Sequence, residues 1–173
     1  MIIRLTKKIL NIIKLKKNPI KYAKSIGVNI GDNCRLIDIT SSTFGSESYL
    51  ITIGNHVTIT SGVRFITHDG GVWVMRNDYK DIDVIAPIKI GNNCFIGLNS
   101  IILPGVTIGD NCVIGAGSIV TKDIPPDTVA AGTPARKLTS INEYKVKSLS
   151  NALFIRSMPP KEKKKYLINL YKR

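Results

Sequence analysis

Several kinds of site are excluded by what this chain of 173 residues has little of. It has three cysteines (Cys34, Cys94 and Cys112), two histidines, one tryptophan and 6% aromatic residues. An odd cysteine count in a fold without other staples argues against a disulfide framework and points to a cytoplasmic chain. Two histidines fall short of the three-histidine set of an open zinc site. No stretch reaches the roughly 18 apolar residues needed to span a bilayer. The first seventeen residues, MIIRLTKKILNIIKLKK, are interrupted by lysines and lead to no small-residue cleavage site, so they do not read as a signal peptide. Acids are few as well, 12 Asp and Glu against 25 Lys and Arg, for a net charge of +13.

That charge is unevenly placed. Residues 1–24 carry eight bases and no acid, residues 136–173 eleven bases and two acids, and residues 25–135 six bases and ten acids. The middle is therefore at −4 between ends at +8 and +9. Nucleic acid is not the expected partner, because no reader module or aromatic stacking platform accompanies the basic runs.

What the middle has in abundance is a six-residue repeat. Five successive units open at Ile90, Ile96, Ile102, Ile108 and Ile114, and four of them follow isoleucine with glycine. The fifth place holds Cys94, Ser100, Val106, Cys112 and Ser118, all small or branched. A helix with 3.6 residues per turn cannot keep every sixth residue on one side. Short strands joined by tight turns can, stacked as rungs of a parallel β-helix in which one aliphatic side chain per unit points inward. Gly, Asn and Asp at the second to fourth places suit the turns. The same phase opens at Ile30, Ile53 and Ile59. Phe65 and Ile90 are 25 residues apart, one more than four units, so the register breaks between them. The rungs are expected to resume near Val84, with residues 67–83 thrown out as a loop. Cys94 and Cys112 stand 18 residues apart, one coil of three units, and are expected to stack as small hydrophobes about 4.8 Å apart.

The repeat resembles the hexapeptide-repeat acyltransferases over roughly residues 27–138. The most specific stretch is Ile108–Arg136, IGDNCVIGAGSIVTKDIPPDTVAAGTPAR, which is similar to the end of the maltose and galactoside O-acetyltransferase type. The resemblance implies a left-handed parallel β-helix, an all-β core, with helical segments at both ends. It also implies acetyl-CoA as acyl donor, no metal, and a homotrimer. Three parts follow: a basic amphipathic segment at 1–24, the acyltransferase domain at 25–138, and a basic helical extension at 139–173, interrupted at Met158-Pro159-Pro160. Residues 2–16 place Ile2, Leu5, Ile9, Ile12 and Ile13 on one side of a helix and bases on the other. Such a helix suits either a cap on the first coil or peripheral contact with the inner face of an anionic membrane.

The candidate catalytic residue is His68, in Thr67-His68-Asp69-Gly70-Gly71, where the rungs break into the excursion. An imidazole titrating near neutrality suits removal of a proton from an attacking hydroxyl. The resemblance places the family's catalytic histidine there and an acidic acceptor-site residue at Glu47; a carboxylate, Glu47 or the adjacent Asp69, suits orienting His68 or holding the acceptor, and Trp73 in the loop suits either a platform for a sugar ring or packing on a neighbouring subunit. On the donor side it implies Gly97, Leu98 and Ala116 along the pantetheine arm, with Thr121, Lys122 and Arg136 toward the nucleotide. Gly97 or its neighbourhood is the candidate oxyanion donor. His56, at a turn place in a clean rung, reads as an edge histidine. His68-Asp69 stands where the maltose and galactoside enzymes have a His-Pro pair. His-Asp-Gly with a following tryptophan resembles the polysaccharide branch of the family. The expected activity is acetyl transfer to a sugar hydroxyl in capsular or other surface polysaccharide, on a lipid-linked precursor in one form of the reading. An antibiotic O-acetyltransferase and a non-enzymatic membrane-docking scaffold are the alternatives.

Overall fold

The structure, a computed structural model, describes residue 15 and residues 17–172. The helix expected over residues 2–16 therefore lies outside the described residues, apart from Leu15.

Each six-residue unit forms a strand only two or three residues long followed by a turn, and the strands visit three parallel faces in fixed order. The first face holds β1 (Asn29–Ile30), β3 (Ile51–Ile53), β6 (Ile88–Ile90) and β9 (Thr107–Ile108). The second holds β2 (Arg35–Leu36), β4 (Thr58–Ile59), β7 (Phe95–Ile96), β10 (Val113–Ile114) and β12 (Thr128–Gly132). The third holds β5 (Arg64–Phe65), β8 (Ile101–Ile102) and β11 (Ile119–Val120). The chain thus winds as a three-sided coil, a parallel β-helix. Repeat-opening residues pair in register down each face: Ile30, Ile53, Ile90 and Ile108 on the first, and Leu36, Ile59, Ile96, Ile114 and Ala130 on the second. Phe65, Ile102 and Val120 form the third column. All are buried, and each coil covers the next.

The corners explain the turn residues. Asn33, His56, Asn93, Asn111 and Asp127 occupy the corner between the first and second faces with φ between +53° and +57°, the left-handed region that Asn and Asp tolerate. Their side chains form a ladder up that edge. His56 Nδ1 lies 2.8 Å from Asn93 Oδ1, Asn93 Nδ2 donates to Asn111 Oδ1 at 2.9 Å, and Asn111 Nδ2 donates to Asp127 Oδ1 at 2.9 Å. His56 is an edge residue with a partner that its sequence neighbours do not reveal. Cys94 and Cys112 are buried and free, each donating its thiol to backbone carbonyls of its own turn and the next coil.

The first coil is closed by a helix that the repeat does not announce, α1 (Pro19–Ser25). Asn18 caps it by accepting from the Lys21 N–H at 2.8 Å, and Pro19 takes the first position, where its missing N–H costs nothing. Tyr22 and Ala23 are buried in the core end, with Leu15 and Ile20 packed against it. At the other end β13 (Ala135–Ser140) turns back antiparallel on β12. The Gly132-Thr133-Pro134 stretch makes this turn, with Gly132 at φ +104°. Two helices follow, α2 (Ile141–Ser150), started by a Ser140–Glu143 capping box, and α3 (Pro160–Tyr171). The break, Asn151–Pro159, is wider than the Met158-Pro159-Pro160 interruption expected, and Pro160 takes the first position of α3.

The excursion is longer than its hydrophobic pattern implies. Val84 and Ile85 do not re-enter the coil: they are 46% and 47% exposed. They lie back on the outgoing strand instead, through an antiparallel bridge between His68 and Ile85 and an Asp69 N–H to Val84 O bond of 2.8 Å. The rungs resume at Ile88, and the Ala86 N–H to Thr67 O bond, 2.9 Å, closes the base of the loop. A period of six marks Val84 as inward; the bridge to the outgoing limb wins because it satisfies backbone groups at the neck.

Candidate active site

The excursion leaves the coil at the corner between the third and first faces. Phe65 ends the last strand before it, and Thr67 is still buried at 1% exposure, so the backbone that carries His68 starts from a fixed point. Glu47 approaches from one coil earlier, on the short 3-10 turn before β3. Its Oε2 is 3.0 Å from His68 Nδ1 and accepts from Thr67 Oγ1 at 2.7 Å, while Ser46 Oγ lies 3.5 Å from the same ring nitrogen. The Thr67 hydroxyl foremost, then Ser46 and His68, hold the Glu47 carboxyl far below its ordinary value, at about 2. Glu47 is ionised at neutral pH and can only accept. When His68 is neutral its proton therefore sits on Nδ1, and the lone pair is on Nε2. The histidine side chain is 44% exposed and the carboxylate 18%, so the ring is open to a ligand and its anchor is sheltered.

His68 lines a cleft of about 410 Å³ together with Asp69, Gly70, Val84, Leu103, Pro104 and Thr121. Thr121, expected on the donor side, thus shares one cleft with His68 and Asp69. Asp69 also shapes the backbone, since its side chain accepts from the Gly71 N–H at 2.8 Å and starts the 3-10 turn Gly70–Met75. Trp73 sits on that turn, 71% exposed, with the Arg76 guanidinium 5.8 Å from its ring centre. It does not line the cleft.

Gly97, Leu98 and Ala116 stand elsewhere, together at the corner between the second and third faces. A Cβ on Gly97 would lie 2.5 Å from the Ala116 nitrogen, which makes that glycine a requirement of stacking. Its N–H is already spent on Ile114 O at 2.8 Å, so Gly97 itself cannot donate to an oxyanion. Among the described residues the N–H groups of Leu98 and Ala116 have no protein acceptor, and both residues are exposed or half-buried. Lys122 follows Thr121 and is exposed; Arg136 is exposed on β13 with Nη1 donating to Ala135 O at 2.9 Å. One chain thus presents His68, Glu47, Asp69 and Thr121 at one edge of the third face and Gly97, Leu98 and Ala116 at the other. Thr67 and Ser46, which fix the carboxylate, carry no sequence signal beyond adjacency to His68 and Glu47. Among the described residues no group of three or more His, Cys, Asp or Glu is placed to hold a metal ion.

The chain is thus a three-sided coil of six-residue rungs with a carboxylate-held histidine at the neck of its excursion. A family model described as the hexapeptide repeat of succinyl-transferase matches residues 87–122. The chain is 57% identical to Protein CapG of Staphylococcus aureus over 162 residues, covering 92% of this chain and 94% of that protein. It is 47% identical to the galactoside O-acetyltransferase of Escherichia coli over 98 residues, 56% of this chain and 47% of that one. A solved galactoside acetyltransferase in complex with coenzyme A superposes with a TM-score of 0.56 at 32% identity, covering 83% and 82% of the two chains. A Vibrio cholerae hexapeptide-repeat acetyltransferase complexed with acetyl-coenzyme A gives 0.51 at 34% identity, covering 66% and 60%. The chain belongs to the hexapeptide-repeat acetyltransferases.

Proposed function

We propose that this enzyme moves an acetyl group from acetyl-CoA to a sugar hydroxyl of capsular or other surface polysaccharide, with His68 as general base and a coil of left-handed sense. The observation that carries the reading is the 3.0 Å contact between Glu47 Oε2 and His68 Nδ1 at an open cleft, an arrangement that favours the proton on Nδ1 and the lone pair on Nε2. The donor is supported by the two similar structures that hold coenzyme A or acetyl-coenzyme A. The sugar acceptor is supported by the galactoside O-acetyltransferase relatives.

The chemistry follows from the geometry. Nε2 takes the proton of the acceptor hydroxyl as its oxygen attacks the thioester carbonyl. The imidazolium so formed is stabilised by the Glu47 carboxylate. The tetrahedral oxyanion collapses, the carbon–sulfur bond breaks, and the proton passes to the departing thiolate. No covalent enzyme intermediate is needed. Oxyanion donors are available in the free Leu98 and Ala116 N–H groups. The donor's pantetheine arm runs along Gly97, Leu98 and Ala116, with Thr121, Lys122 and Arg136 toward its phosphates. Asp69, which lines the cleft, flanks the acceptor.

Because the two groups of residues lie at opposite edges of one face, the site is complete when a neighbouring copy lies along that face and brings its Leu98–Ala116 corner to His68. This favours a homotrimer with sites between subunits. The division into a coil at 25–138 flanked by basic segments at 1–24 and 139–173 belongs to the same reading, with residues 1–17 attaching the enzyme to an anionic membrane surface. Replacing His68 by Ala should lower turnover, followed as CoA release with a competent sugar acceptor, by about 10² or more. Near-normal turnover in a folded variant would overturn the assignment.

A further inference from the structure

Acetyl transfer leaves the C-terminal arm without a role. Residues 139–173 hold nine Lys and Arg against two Glu. Neither α2 nor α3 buries a single residue. Between them Phe154 is 86% exposed beside Leu153 and Arg156, and α3 exposes Tyr166, Ile168, Leu170 and Tyr171. Exposed Lys161, Lys164 and Lys165 lie on the same helix. Large apolar side chains presented to water among bases mark a contact surface.

Three occupants fit a surface that is both apolar and basic. A second copy of the arm brings the same excess of positive charge, so two arms laid together repel. Nucleic acid is bound best by the planar fork of arginine, but seven of the nine bases are lysine. An anionic bilayer takes both features at once: lysines over the headgroups and apolar side chains at the acyl boundary. Its first helix, α2, packs on β12 and β13, at the far end of the coil from α1.

We propose that residues 139–173 form a lipid-contact element that lies on an anionic bilayer, with Phe154 entering the headgroup–acyl boundary and Arg156, Lys161, Lys164 and Lys165 over the headgroups. This contact is separate from the one assigned to residues 1–17 and does not depend on the acetyl-transfer reading.

The test uses the full chain with a reporter at the contact. Trp73→Phe combined with Phe154→Trp leaves one indole, at the proposed depth. Vesicles of equal parts phosphatidylglycerol and phosphatidylcholine should shift its emission to the blue, and phosphatidylcholine alone should not. Changing Arg156, Lys161, Lys164 and Lys165 to Gln should weaken vesicle binding by about tenfold or more. About 1 M salt, with a Debye length near 3 Å, should release the protein. These four side chains are exposed, so their loss leaves the fold intact, which circular dichroism checks. Unshifted emission overturns the proposal. So does full binding by the four-fold variant, which would place the contact at the N-terminus alone. Emission that is blue without vesicles and reddens on dilution would assign the arm to a second copy instead. A tighter response to a single-stranded oligonucleotide than to vesicles would assign it to nucleic acid.

Discussion

The proposed role of His68 rests on the residues that hold its ring. Thr67 is buried, and its hydroxyl fixes Glu47, which fixes the ring. Glu47→Gln should lower kcat by on the order of 10² while the KM for acetyl-CoA stays unchanged, because the carboxylate acts through His68. A rise in acceptor KM with kcat preserved would instead make Glu47 an acceptor-binding group. Thr67→Val carries a signature in stability. The native Glu47 carboxyl is depressed from an ordinary 4.5 to about 2, so its ionisation stabilises the fold fully above pH 4.5 and progressively less down to about pH 2. Valine removes the foremost cause and raises the native value. The variant should therefore be less stable than the parent at neutral pH, and the gap should narrow as pH falls from 4.5 toward 2. Urea unfolding across that range measures it; a gap independent of pH would detach Thr67 from the carboxylate.

At the scale of the element, the rung is held by the contact between coils. The second-place glycine is a stacking requirement more than a turn requirement, as Gly97 shows. A methyl group there would lie 2.5 Å from the Ala116 nitrogen and 2.6 Å from the Ile114 oxygen, both backbone atoms of the next coil. Gly97→Ala should cost about 1–3 kcal/mol through overpacking. Gly117 is the contrast: φ is +69° and nothing lies within 4 Å of its added Cβ, so Gly117→Ala meets backbone strain alone, about 1 kcal/mol. Urea midpoints should rank Gly97→Ala below Gly117→Ala; the reverse order would mean that coil spacing yields easily. The excursion follows another rule. It is a two-limbed arm closed by its own antiparallel bonds, which is why Val84 faces out although it stands six residues before Ile90.

The whole molecule is a mildly acidic coil between two basic ends, with the halves of its proposed site at opposite edges of one face. The third face carries Ile101 and Ile119 outward, both half-buried in the single chain, and the excursion exposes Trp73, Val74 and Met75. Association along this face should bury them. Analytical ultracentrifugation should give a trimer, and dilution below its association range should remove activity along with mass. A stable, fully active monomer would end the reading of sites between subunits.

The six-residue period alone determined that the chain stacks as short rungs of a parallel coil and which places are turns, because each rung repeats one local backbone solution. It also marked His68 as the residue at the break. Four things were decided only by tertiary structure. Glu47 is 21 residues from His68 along the chain and meets it because one coil closes between them. His56 finds Asn93 across 37 residues by stacking alone. Tyr22 and Ala23 close the first coil from a helix that has no repeat to announce it. Gly97, read as a donor-side glycine, has its N–H consumed by the coil ladder, which leaves Leu98 and Ala116 with the free donors. In three of these the deciding contact is between coils and in the other between a helix and the coil end; a six-residue pattern specifies that coils stack without stating which side chains then face one another across the gap.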